Sequence, residues 1–157
     1  MRLSIKKGFS FGLTSGIITT LGLIVGLHSG THSRLVIMGG VLVIAVADAL
    51  SDSLGIHVSQ ESDKKNSTKQ VWESTLATFL SKFIFALLFI IPLLLLELNT
   101  AIIVSIIFGL FLISLFSYFL AKQEKVRPYK VILEHLIIAS IVIIITHYIG
   151  DLVAVWS

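Results

Sequence analysis

Two carboxylates four residues apart inside a hydrophobic run, Asp48 and Asp52, are where this sequence could do chemistry. They stand in Ala47-Asp48-Ala49-Leu50-Ser51-Asp52-Ser53-Leu54-Gly55, and the i, i+4 spacing puts both on one helical face, which Gly55 and Ser59 continue. A carboxylate at the centre of a bilayer costs about 2.5 to 3.5 kcal/mol on insertion scales, so the pair is expected to face the interior of a helix bundle. Carboxylates with Ser and Thr hydroxyls are hard oxygen ligands suited to magnesium, manganese or ferrous iron. The alternative role is structural: a buried ion pair with Lys82, the one basic residue inside an apolar run, that sets helix register.

The runs that must position these residues define the class of protein. Of 157 residues, 55% are hydrophobic and 13% charged, and the mean hydropathy is +0.98. A soluble domain of this size cannot cover itself with so few polar groups, which excludes a cytosolic globular enzyme. Five apolar segments, about 9–27, 35–59, 72–96, 101–121 and 129–149, are each long enough to cross a bilayer. They are continuous rather than alternating, so a transmembrane β-barrel is excluded and helices are expected: an all-α integral membrane protein with five transmembrane helices and one transmembrane domain over residues 1–157. Arg2, Lys6 and Lys7 ahead of the first segment imitate a signal peptide, but no small-residue cleavage site precedes its polar end at His28, so it reads as a retained span. The absence of cysteine removes disulfides and thiolate metal sites.

Ten of the twelve basic residues flank one side of the spans: Arg2, Lys6 and Lys7 before the first, Lys64, Lys65 and Lys69 between the second and third, and Lys122, Lys125, Arg127 and Lys130 between the last two. Only Arg34 lies on the other side. The positive-inside rule then puts the N-terminus in the cytoplasm and the C-terminus outside, in the cell membrane, with the lipid bilayer as the surroundings. This asymmetry accounts for the net positive charge, and no nucleic-acid partner is needed. Counting at about 1.5 Å per residue from the shared end of spans two and three, Asp48 and Lys82 lie at similar depths, roughly 15 Å in. The ammonium of Lys82 is therefore expected to meet Asp48 or, one turn nearer the cytoplasm, Asp52.

In the first span Gly8, Gly12, Ser15, Thr19, Gly22 and Gly26 are spaced alternately by four and three residues, a continuous seam along one helical face. Seams of this kind mark close helix contacts in lipid. This one is expected to pair two copies into a homodimer, the other reading being packing within one five-helix subunit. Ser15 and Thr19 are candidate hydroxyl partners for the carboxylates. The third span carries its own polar stripe, Ser74, Thr75, Thr78, Ser81 and Lys82. His57 sits about 140° around its helix from Asp52 and near the end of the span, as an interfacial residue. Glu134 and His135 fall in the first turns of the fifth span; His147 and Asp151, an i, i+4 pair, read as solvated; His28 and His32 flank a short outer loop with no third ligand beside them. No His-Glu-x-x-His or Gly-x-Gly-Asp pattern supports an enzyme.

The first span, Phe11-Gly12-Leu13-Thr14-Ser15-Gly16-Ile17-Ile18-Thr19-Thr20-Leu21-Gly22-Leu23-Ile24-Val25-Gly26, resembles that of the vacuolar iron transporter family, which includes yeast vacuolar calcium/manganese-type exporters. Ala49-Leu50-Ser51 with Gly55 and Val58-Ser59 is similar to its second-span segment, Phe79-Leu80 and Ile91-Pro92-Leu93 to its third, and Thr146-His147-Tyr148-Ile149-Gly150 to its fifth. The resemblance implies a five-helix fold, a two-fold dimer with the first helices at its centre, and proton-coupled export of ferrous or manganous ions, with the metal as substrate and no resident cofactor. It also implies a changed ligand set. Ser15 stands where the family has an Asp, Asp52 where it has a Met, and Ile56 where it has a Glu. The cytosolic metal-binding insertion of some members is absent. Asp48, Asp52, Ser15 and Thr19 are the residues expected to hold a divalent metal, and a membrane scaffold that kept the fold and lost the ligands is the alternative.

Overall fold

The computed structural model of the chain describes residues 2–156; Met1 and Ser157, the ends of the expected 1–157 domain, lie outside the described residues. The helices are α1 (Leu3–Thr31), α2 (Arg34–Glu61), α3 (Thr68–Leu88), α4 (Ile90–Leu95), α5 (Leu98–Gln123) and α6 (Pro128–Trp156), with no strand among the described residues. Five stretches are long and apolar enough to cross a membrane, α3 and α4 together forming the third. All but the far end of that third span run past the apolar segments that announce them. Hydropathy marks only the part a helix sets in hydrocarbon, and backbone hydrogen bonding continues beyond it.

Short connections force the spans to run alternately up and down. The N-terminus, the α2–α3 turn and the α5–α6 turn, with their lysines and arginines, therefore share one end of the bundle, called here the basic end. The other is the far end. At the basic end Ser67 and Gln70 form a capping box: the Gln70 backbone N–H donates to Ser67 Oγ (3.4 Å) and the Ser67 N–H to Gln70 Oε1 (2.8 Å). At the far end Ser33 caps α2, and Arg34 donates to the Leu96 carbonyl (2.6 Å), tying the α1–α2 connection to the end of α4.

Pro92 explains why the third span is broken. Its ring removes an N–H and collides with the carbonyl four residues earlier, at Leu88. The α-helix accordingly ends there, and the Phe89 N–H makes a tighter bond to the Ala86 carbonyl (3.2 Å) before α4 resumes.

Half of the apolar window of α1 is buried, against 11% of that of α6, so α1 is the post around which the others stand. Its glycines decide what stands next to it. A Cβ at Gly8 or Gly12 would strike the α3 backbone at Ser74 or Thr78, while one at Gly22 would come within 2.8 Å of Val142 Cγ1 and one at Gly26 within 3.1 Å of the Thr146 carbonyl, both on α6. The seam of Gly8, Gly12, Gly22 and Gly26, expected to pair two copies, is thus occupied inside one subunit, by α3 along its first half and by α6 along its second. The spacing encodes close approach, and two helices of the same chain already satisfy it.

Candidate functional site

Lys82 is the largest fully buried side chain, 1% exposed at the α1–α2–α3 junction. Gly16 leaves it room: a Cβ there would lie 3.1 Å from both Lys82 Cγ and the Lys82 carbonyl, so a side chain would press the lysine aside by a few tenths of an ångström. Its ammonium Nζ lies 2.6 Å from Asp48 Oδ2, pairs also with Asp52 Oδ2, and donates to Ser15 Oγ at 3.0 Å. Ser15 passes its own hydrogen to Asp52 Oδ2 at 2.7 Å. The three N–H donors of the ammonium meet three acceptors, and the Ser15 hydroxyl closes the ring. A buried charge needs this pairing and saturation to be tolerated.

Three elements hold the ring. The i, i+4 spacing of α2 stacks Asp48 above Asp52, α1 supplies Ser15, and the α3 stripe delivers Lys82 at their level. Ser74, Thr78, Ser81 and Lys82 of that stripe are all buried. Thr78 binds the helices by donating to the Gly8 carbonyl (3.1 Å) as well as to its own Ser74 carbonyl (2.9 Å). Thr19 is not brought to the site, because its hydroxyl donates to the Ser15 carbonyl one turn back (2.9 Å).

The carboxylates are less enclosed than the ammonium. The side chains of Asp48 and Asp52 keep 31% and 23% of their surface. They open onto the outside of the subunit beside exposed Ser51 and Gly55 of the same helix. On α2 the exposed positions Ala47, Ser51, Gly55 and Ser59 recur every four residues, a small-residue face that nothing in the subunit covers. With Asp48, Asp52 and Lys82 ionised the ring has one negative charge in excess, so it attracts cations. Among the described residues no three His, Asp or Glu side chains are grouped so as to hold a metal ion. Two carboxylates and a hydroxyl are a partial shell for a hard cation, which takes about six oxygens.

The remaining candidates stand apart from this ring. His28 and His32 meet edge to face at 5.1 Å, His147 Nε2 lies 3.5 Å from Asp151 Oδ2, and Ser29 donates to Asp151, all at the far end. His135 contacts Ser117 Oγ (2.7 Å) between α5 and α6. Sequence reasoning named Ser15 as a partner of the carboxylates and missed three links: the bond Ser15 accepts from Lys82, the Ser117–His135 pair, and the hold of Arg2 and Ser4 on Glu73, in which Ser4 Oγ donates at 2.7 Å. The only signal for any of them was the polar residue itself.

Five apolar helices, with charges inside the bundle paired to one another, define an all-α integral membrane protein. A model of the VIT family matches residues 56–151, well over half of the chain, and the chain belongs to that family, the vacuolar iron transporters, which move metal ions across membranes. Lys82 lies within the match; Ser15, Asp48 and Asp52 lie ahead of it. No curated protein and no solved structure matches the chain.

Proposed function

We propose that this protein exports a divalent metal ion, ferrous iron or manganese, from the cytosol in exchange for protons, with Asp48, Asp52 and Ser15 supplying oxygen ligands. One observation carries the reading: the Lys82 ammonium, tethered to α3, is held by two carboxylates and a hydroxyl as a cation would be. The site is built for positive charge, and a mobile cation reaches it by displacing the resident one. Hard oxygen ligands favour manganese, magnesium or ferrous iron over softer ions. Ten of twelve basic residues at one end support a cytoplasmic N-terminus, an outer C-terminus and a place in the cell membrane.

A homodimer belongs to the same reading. Half-exposed carboxylates at mid-span are expensive against lipid, and the small-residue face of α2 beside them suits a second copy better than the glycine seam, which is already filled. That second copy would also complete the ligand shell.

A second reading, a membrane scaffold that transports nothing, is favoured by the saturation of the ammonium, which leaves none of its donors free. Reconstitution into proteoliposomes separates the two. Manganese or ferrous flux accompanied by counter-movement of protons is expected, with calcium and magnesium as controls, and Asp52→Asn is expected to stop it while the protein stays folded. Flux undiminished in Asp52→Asn removes Asp52 as a ligand, and no flux of any of the four ions favours the scaffold.

A further inference from the structure

A second cluster of metal-binding atoms lies at the basic end, between the close of α2 and the start of α3. A cavity of about 270 Å³ is lined there by His57, Glu61, Asn66, Thr68, Val71 and Trp72. His57 Nδ1 is 3.0 Å from Thr75 Oγ1, and that hydroxyl lies 2.8 Å from the Val71 carbonyl. A hydroxyl has a single hydrogen and a carbonyl only accepts, so Thr75 donates to Val71 and His57 Nδ1 donates to Thr75. In that arrangement Nε2 carries the lone pair, and it has no protein partner among the described residues. Metal-ligating histidines are held in this way, with the second nitrogen hydrogen-bonded to a fixed acceptor.

The other cavity groups are free in the same sense. The carboxylate of Glu61, one turn beyond His57 on the same helix, makes no hydrogen bond or ion pair among the described residues. Asn66 spends its Nδ2 hydrogens on the Gln60 carbonyl (2.9 Å) and Gln60 Oε1 (3.3 Å), which leaves Oδ1 as an open acceptor. Trp72 packs its ring against the imidazole, centroids 4.8 Å apart, and limits its rotation.

We infer that His57 Nε2 and the Glu61 carboxylate, with Asn66 Oδ1 completing the set, bind a divalent transition metal at the basic end. One imidazole nitrogen with carboxylate and amide oxygens suits manganese, ferrous iron or zinc. The site is separate from the Lys82 ring, five and nine residues along α2 from Asp52, or about 7 and 13 Å at the helical rise. Sequence reading took His57 for an interfacial residue; the contact with Thr75 across the α2–α3 turn gives it a ligand's geometry.

The test uses Mn²⁺ with the full-length protein purified in detergent. Wild type is expected to bind Mn²⁺ with an imidazole-nitrogen coupling in its pulsed EPR spectrum. His57→Gln is expected to abolish that coupling, and Glu61→Gln to weaken binding by about tenfold or more. Asp52→Asn should keep the nitrogen coupling, since the Lys82 ring offers only oxygen ligands. A nitrogen coupling that survives His57→Gln, or the absence of any nitrogen coupling in wild type, overturns the inference. Nitrogen-free binding that Asp52→Asn removes overturns it while supporting the transporter reading, so the two proposals fail separately.

Discussion

The two halves of α1 carry the same glycine spacing and meet opposite surroundings. Toward the basic end, Gly8, Gly12 and Gly16 press on an α3 face of Ser74, Thr78, Ser81 and Lys82. Toward the far end, Gly22, Gly26 and Gly30 press on Val142, Thr146 and Gly150 of α6, and beside them runs an apolar groove of about 320 Å³. One half brings backbones together to place hydroxyls and a charge at mid-span, whereas the other packs along the groove and adds a polar link at its tip, where Ser29 donates to Asp151. A small-residue stripe therefore reports how near a neighbour comes and is silent about what that neighbour carries.

The difference is open to attack by substitution, most forcefully at the charge. Lys82→Met leaves two carboxylates facing each other without their cation, and a loss of about 3–5 kcal/mol is expected. Thermal unfolding in detergent measures it, and added Mn²⁺ should restore part of the stability if the carboxylates accept a mobile ion in place of the ammonium. An unchanged melting temperature would mean that the ring contributes nothing to the polar half.

Glycine replacements sharpen the contrast next. Gly12→Ala drives a methyl group into Ser81 Oγ, which can rotate aside, and into the Thr78 carbonyl, which cannot retreat without moving a helix, and about 1–3 kcal/mol is expected. Gly22→Ala meets side-chain atoms alone, Val142 Cγ1 at 2.8 Å and Thr146 Cγ2 at 3.3 Å, next to the groove, so its cost should be smaller, about 1 kcal/mol. Equal losses for the two variants would erase the distinction between the halves.

The smallest effect belongs to the basic end, where Glu73 accepts from Arg2 and Ser4. Glu73→Gln breaks an ion pair whose guanidinium is exposed, and a small loss of stability, shrinking further in high salt, is expected from unfolding measured at two ionic strengths.

Much of this arrangement was legible in residues alone. Depth counting set Lys82 level with Asp48 because helical rise is constant and the α2–α3 turn is short. Pro92 already carried the reason for the break in the third span. The partner of the glycine seam was not legible, since spacing holds no record of which helix arrives. Nor was the bridge at Ser15, because the direction of a hydroxyl depends on how α1 crosses α2 and α3. The contact of His57 with Thr75 was not legible for a related reason: an angle on α2 says nothing of a residue eighteen positions later and across a turn.

The interruption at Phe89 gives the third span mechanical independence between its parts. Lys82 rides on the lower rod, about 10 Å below the joint at the helical rise, while the upper rod is clamped at its tip by Arg34. In an unbroken helix any tilt that drew the ammonium off its carboxylates would drag the far end along. The joint at Phe89 lies between the two, so the charge of the ring and the mooring at the opposite rim belong to separate rods.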